Sequence, residues 1–331
     1  MPPMGLRAYS RLVLATGIVT GFAASAVQAS TPPLPQPKPD GLSRVDAKTI
    51  LNSVPARSLF KKARFAANTR PSAIGRYNRG CLAGGERLPI NGPAWQAMRL
   101  SRNRNWGHPA MIALVKRLAA DARAKDDWNG LLVGDIAMPR GGPMWPSHAS
   151  HQIGLDADIW FTPMPNRRLT YKERERLSAT FMLTKNHLSV NDRVWTDAHV
   201  RLVKRAASYN SVERILVHPA IKKALCEATP ADADRSWLSK VRPVRGHNYH
   251  FHIRMKCPAS SPNCRPQKPT PVVDGCGKEL DDWYKRLEAR LKPRPKPKRP
   301  KIARPRVKPK PRRLLTLNDL PNACQNVLAA R

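Results

Sequence analysis

The chain has 331 residues, is 41% hydrophobic and carries a formal net charge of +36. That length buries a real core, as one large domain or two small ones, and the charge points to a polyanionic partner or surface. No stretch offers the roughly 20 apolar residues a membrane span needs, and no motif marks a nucleotide site.

In chain order, residues 1–29 read as a secretory signal. Arg7 and Arg11 precede an apolar run, Leu12 to Ala26, that closes on Val27-Gln28-Ala29, a small-x-small cleavage tripeptide. The expectation is an exported, periplasmic protein. Residues 30–57, with Thr31-Pro-Pro-Leu-Pro-Gln-Pro-Lys-Pro, form an extended proline-rich leader. A globular domain is expected over 58–289. Arg76 to Gly85 reads as a short strand and turn. Met111, Leu114, Val115, Leu118 and Ala119 recur at helical spacing, so His108-Pro109 opens a helix, with His108 structural. Leu131 to Ala137 is a buried-strand run leading into the glycine-rich loop Pro139 to Pro143. Tyr171 to Met182 and Thr196 to Ala207 suit helices, with Thr196 as an N-cap. Arg214 to Val217 reads as a strand, Pro219 to Leu225 and Glu279 to Leu291 as helices. His187, His199 and His218 read as capping or surface residues.

Residues 290–313 hold thirteen basic residues, seven prolines and no acid, and read as a disordered, solvated arm. Setting those thirteen and the two signal arginines aside still leaves +21 on the rest. After export, no nucleic acid is expected as partner; the acidic cell-wall polymer and anionic membrane surfaces suit the charge better. A homodimer is compatible with the sequence. Residues 314–331 regain apolar side chains and include Cys324. The six cysteines, Cys81, Cys226, Cys257, Cys264, Cys276 and Cys324, suit disulfides in an oxidising compartment, and their spacing leaves the pairing open, although a bond from Cys324 back to the body would tie the arm into a loop.

Five of the nine histidines fall in two short segments, His148-Ala-Ser-His151-Gln-Ile-Gly-Leu-Asp-Ala-Asp158 and His247-Asn-Tyr-His250-Phe-His252. Both alternate as strands. Leu155, Ala157, Ile159 and Phe161 face away from Asp156, Asp158 and Trp160, and Tyr249, Phe251, Ile253 and Met255 away from His250, His252 and Arg254. Imidazoles and a carboxylate projecting from one sheet face are zinc-ligand chemistry. The expected fold class is α+β, with a small antiparallel sheet carrying the metal site and flanked by helices. Arg242, Arg245 and Arg254 are candidates to hold a substrate carboxylate.

His151-x6-Asp158 with His250-x-His252 resembles the core of the lysostaphin/D-Ala-D-Ala metallopeptidase superfamily. Val133-Gly-Asp-Ile-Ala-Met-Pro139, His148 to Ile159 and Lys240-Val-Arg-Pro243 resemble its penicillin-insensitive murein endopeptidases, from about Cys81 to Cys276 and again at Cys324-Gln. The resemblance implies zinc held by His151, Asp158 and His252, with His250 as acid/base or transition-state stabiliser. It places His148 and His247 along the site, His148 as a possible further ligand. It implies the disulfides Cys81–Cys324, Cys226–Cys276 and Cys257–Cys264, and as substrate the D-alanyl–diaminopimelyl cross-links of peptidoglycan. Family members can carry an extra Asp/His pair for additional metal, for which His187 and Asp192 are the nearest counterparts; the basic arm lies outside the family core. Rival readings are a D,D-carboxypeptidase of the same superfamily and a non-catalytic, zinc-containing wall-binding protein.

Overall fold

The computed structural model describes residues 53–144, 148–293 and 313–330. The signal, the leader up to residue 52 and residues 294–312 of the arm lie outside the described residues. Among those described, no helix is long and apolar enough to cross a membrane.

The frame is a six-stranded sheet in the order β4-β6-β7-β10-β8-β9, made of β4 (Trp95–Ala97), β6 (Leu131–Val133), β7 (Asp156–Pro163), β8 (Val212–Val217), β9 (Val241–Pro243) and β10 (His250–Met255). Its four central strands are antiparallel, as expected for a small antiparallel sheet. The two edges differ from that expectation, because β4 runs parallel to β6 and β9 parallel to β8. Each parallel pair is joined by a crossover that contains a helix, α2 (Pro109–Lys125) for the first and α5 (Pro219–Glu227) for the second, and only such a crossover lets neighbouring strands run the same way. Two hairpin-like ribbons lie outside this sheet, β1 (Ser72–Arg76) with β2 (Arg79–Ala83), and β3 (Glu86–Arg87) with β5 (Trp106–Gly107).

Alternation decides the faces. Ala157, Ile159 and Phe161 of β7 and Phe251, Ile253 and Met255 of β10 join the main core, together with Met111, Leu114, Val115 and Leu118 of α2 and Leu202, Val203 and Ala206 of α4 (Asp197–Ser208). Two helices start with the same device. His108 before Pro109 and His218 before Pro219 each accept a hydrogen bond from the backbone N–H two residues on, at 3.2 Å; proline at the first helical position has no N–H to satisfy. Thr196 caps α4, with His199 completing the reciprocal box.

The helix expected over Tyr171 to Met182 ends early, as α3 (Tyr171–Arg176). Tertiary bonds claim the remainder: Thr180 N–H donates to Thr162 Oγ1 at 2.7 Å and Met182 N–H to the Asn248 carbonyl at 2.9 Å. Residues 177–182 are thereby drawn along the ends of β7 and β10.

Disulfides join Cys81 to Cys324, Cys226 to Cys276 and Cys257 to Cys264. The first holds a satellite core in which α1 (Ala56–Phe60) packs with Leu317, Leu320 and Val327, the last of these on α7 (Ala323–Ala329). Ala56 N–H donates to the Leu315 carbonyl at 2.8 Å, so packed structure begins inside the stretch read as leader. The helix before α7 in the chain, α6 (Lys278–Leu291), runs into the first residues of the arm. Gly142 supports the same core: its φ is +80°, and a Cβ there would fall 2.2 Å from the Phe60 ring.

Candidate metal centre

The pairing of β7 with β10 sets His252 opposite Asp158 and Arg254 opposite Asp156. Directly opposed side chains on one face of an antiparallel pair are close enough to interact, and here two charged rungs are stacked one residue pair apart. The upper rung is completed from a loop. His151 has φ +67°, a conformation uncommon outside glycine, and its backbone N–H donates to Asp156 Oδ2 at 2.8 Å. That bond fixes the turn that points the His151 ring at Asp158.

Four imidazoles surround the Asp158 carboxylate. His252 Nδ1 lies 3.1 Å and His151 Nε2 3.3 Å from Oδ1, His250 Nε2 3.7 Å from the same oxygen, and His148 Nδ1 3.7 Å from Oδ2. The His148–His151 and His151–His252 rings meet edge to face, each pair at 4.6 Å between centroids. Donor atoms of His148, His151 and Asp158 all lie within 4.8 Å of one another.

Behind each ring is a partner for its other nitrogen. His151 Nδ1 lies 2.7 Å from the Ile136 carbonyl, His252 Nε2 2.9 Å from Asp156 Oδ1, and His148 Nε2 2.9 Å from Asp135 Oδ2. Such outer partners fix the tautomer and the direction of a ligating imidazole. The two rear carboxylates are themselves neutralised. Arg254 forks onto Asp156 at 2.7 and 3.3 Å, and Arg102 and Arg104 reach Asp135 at 3.0 and 2.8 Å. Asp158 is the exception: among the described residues no guanidinium or ammonium pairs with it. A buried carboxylate surrounded by imidazoles alone, while its two neighbours each hold arginine, is a place where a further cation would be stabilised. The donor set fits a divalent metal that accepts nitrogen and oxygen ligands.

Burial opposes ionisation of Asp158, yet the His151 and His250 rings, with hydrogen bonds from His151 and His252, hold its carboxyl well below the usual range. The same balance lowers Asp156, where Arg254 leads the opposing charges, and Asp135, where the His148 hydrogen bond does. Burial depresses His252 too, but Asp156 outweighs it and the ring is raised. Burial pushes His250 down and His247 down to about 3. His250 is therefore neutral near pH 7, and its Nδ1 has no hydrogen-bond partner among the described residues. His247, with φ +53°, stacks beside His250 at 5.0 Å and rests its Nδ1 3.1 Å from the Arg245 carbonyl.

The arginines expected to hold a substrate carboxylate are placed otherwise. Arg254 is buried and committed to Asp156, which makes it a support for His252 and His151. Arg242 pairs with Glu279, and Arg245 is exposed. His187 and Asp192 are both exposed and share no hydrogen bond or ion pair among the described residues; His187 lies against Phe181 at 5.2 Å. His199 belongs to the capping box of α4, and His218 caps α5. Sequence reasoning gave no role to Asp135, Arg102 or Arg104. Asp156, seen on the right face, also went without one, although the alternation that selected Asp158 selects it equally.

A cleft of about 280 Å³ opens beside the cluster, lined by Asp135, His148, Asp158 and His250 together with Trp160, Ser178, Ala179 and Tyr249. Arg99 stacks on Trp160 at 5.4 Å while donating to the carbonyls of Arg174, Glu175 and Leu177, which ties the rerouted segment after α3 to the cleft wall.

Residues 73–329 match the profile of a family described as penicillin-insensitive murein endopeptidase. Proteins carrying that name are similar to this chain. The one from Haemophilus influenzae is 44% identical over 65% of this chain and 74% of its own length. That from Pectobacterium atrosepticum is 37% identical over 85% and 92%, and that from Klebsiella pneumoniae strain MGH 78578 is 40% identical over 64% and 76%.

Proposed function

Because the chain belongs to the penicillin-insensitive murein endopeptidase family, we propose that it is a zinc-dependent DD-endopeptidase. Its substrate would be the D-alanyl–diaminopimelyl cross-links of peptidoglycan, and its compartment the periplasm. The observation that carries this reading is the buried Asp158 carboxylate with imidazole nitrogens converging on it from the neighbouring strand and a loop.

His151 Nε2, Asp158 and His252 Nδ1 would hold the ion, with His148 Nδ1 facing the same place. Zinc bound there supplies Lewis acidity to the scissile carbonyl and to an attacking water. The protein does the rest. Ile136, Asp156 and Asp135 keep three rings aimed, so no ligand has to reorient during turnover. His250 is neutral, borders the cleft and has an unpartnered nitrogen, the state required of a base that takes a proton and returns it to a leaving amine. Trp160 and Tyr249 give the peptide an apolar wall and help exclude water.

The test is hydrolysis of purified dimeric muropeptides. Activity is expected to vanish with a chelator and return with added zinc. Cleavage of monomeric pentapeptides with dimers left intact would replace this reading with a D,D-carboxypeptidase, and chelator-resistant cleavage would remove zinc from it.

A further inference from the structure

Next to the metal cleft lies a second cavity that the reaction described above does not use. It encloses about 450 Å³, and its lining includes the cations Arg57, Lys61, Arg102 and Arg104 and the hydroxyls Ser58 and Ser101, with no acidic side chain among the described residues. Arg102 belongs to both cavities. One of its nitrogens goes to Asp135, and its side chain stays 47% exposed. The two hollows therefore meet at the Asp135–Arg102 pair, with His148 on one side and the four cations on the other.

Like charges gathered on a concave, low-dielectric wall repel one another and focus a positive potential into the space they enclose. Asp135 offsets part of that charge from below, through Arg102 and Arg104; Lys61, on the rim, is exposed. The volume matches a small-molecule subsite, and guanidinium forks beside serine hydroxyls are carboxylate-binding chemistry. Resting on the reading of the metal cleft as a cross-link hydrolase, we infer that this basic cavity is a substrate subsite. It takes the free carboxylates of the stem peptide that flank the scissile amide, and Arg57 and Lys61 determine specificity for the charged over the amidated form. Peptidoglycan stems carry their free carboxylates close to the cross-link, so a peptide whose amide lies at Asp158 and His250 has an anion to place within reach of Arg102.

The experiment uses the zinc-loaded mature protein and two uncross-linked tetrapeptide stems, one with a free diaminopimelyl carboxylate and one with that group amidated. Calorimetry gives Kd for each with the native protein, with Arg57→Gln/Lys61→Gln and with Lys61→Gln alone, the last keeping the test valid if Arg57 matters for folding. Amidation is expected to weaken binding to the native protein by about 10-fold, and the double substitution to weaken the free-acid peptide by a similar factor while leaving the amidated one unchanged. With cross-linked dimers, KM should rise and kcat stay within about twofold. Equal Kd for both peptides on the native protein, or equal weakening of both by the substitutions, overturns the subsite. The binding cycle needs no turnover, so native protein that leaves dimers intact would count against the hydrolase reading alone.

Discussion

Asp158 and His252 face each other across two strands, but they serve the site only because Asp156, Asp135 and the Ile136 carbonyl hold the rings from behind. The proposed division between ligands and supports makes single substitutions informative. His252→Ala removes a donor from the proposed metal position and should abolish metal retention and activity together. His250→Ala leaves the other donors in place and should keep near-stoichiometric zinc while turnover falls by roughly 10²–10⁴-fold. Metal analysis beside a muropeptide assay separates the two outcomes, and full activity in the second variant would remove His250 from the acid/base role. At this scale the sequence was informative about histidines and poor about their supports. An imidazole in a basic chain stands out by residue type. Asp135 gains its role by meeting His148, Arg102 and Arg104 in space, and no spacing in the chain announces that.

Strand alternation made the sheet faces of β7 and β10 legible, since a buried apolar row every second residue leaves few choices for the intervening side chains. Helix starts were equally legible where a cap and a proline coincide, as at His108-Pro109. The end of α3 was not, because it is set by Thr162 and Asn248, distant in sequence from the residues they capture. The parallel edges of the sheet likewise depend on where two crossovers land. An element-level prediction concerns α4. His199 accepts from the Thr196 N–H through Nδ1 and lies with Nε2 3.1 Å from the Phe161 carbonyl, an arrangement only the neutral ring satisfies on both sides. Burial pushes its pKa down to about 4, below the unfolded value near 6.5. The unfolded chain thus binds the proton more readily between those values, and stability present above pH ~6.5 is lost as pH falls towards 4. Denaturant unfolding at pH 7.5 and 4.5 should show a loss of up to roughly 3 kcal/mol from this residue. In His199→Gln that slope should flatten even though the variant starts less stable. An unchanged slope would assign the acid sensitivity elsewhere, with His218, also pushed down to about 4, the next residue to test.

For the whole molecule, the charge and the cysteines say more about environment than about architecture. Six cysteines fit an oxidising compartment, yet the bond from Cys81 to Cys324 crosses 243 positions, a separation that pattern reading alone left open. It closes the satellite core in which the C-terminal segment covers α1, and α1 in turn bears Arg57 at the basic cavity. Replacing both partners, Cys81→Ala with Cys324→Ala, should cost roughly 2–5 kcal/mol in denaturant unfolding. If the wall bearing Arg57 depends on that bond, the double replacement should also weaken free-acid stem binding while the metal cleft keeps its zinc.

The same bond changes what a cut in the chain would mean. In sequence, residues 294–312 lie between Cys81 and Cys324, which are bonded to each other. A protease that cuts once within them produces two polypeptides and still only one molecule. Such nicked protein should migrate at full size on a gel without reductant and fall into a large and a small fragment when thiol is added.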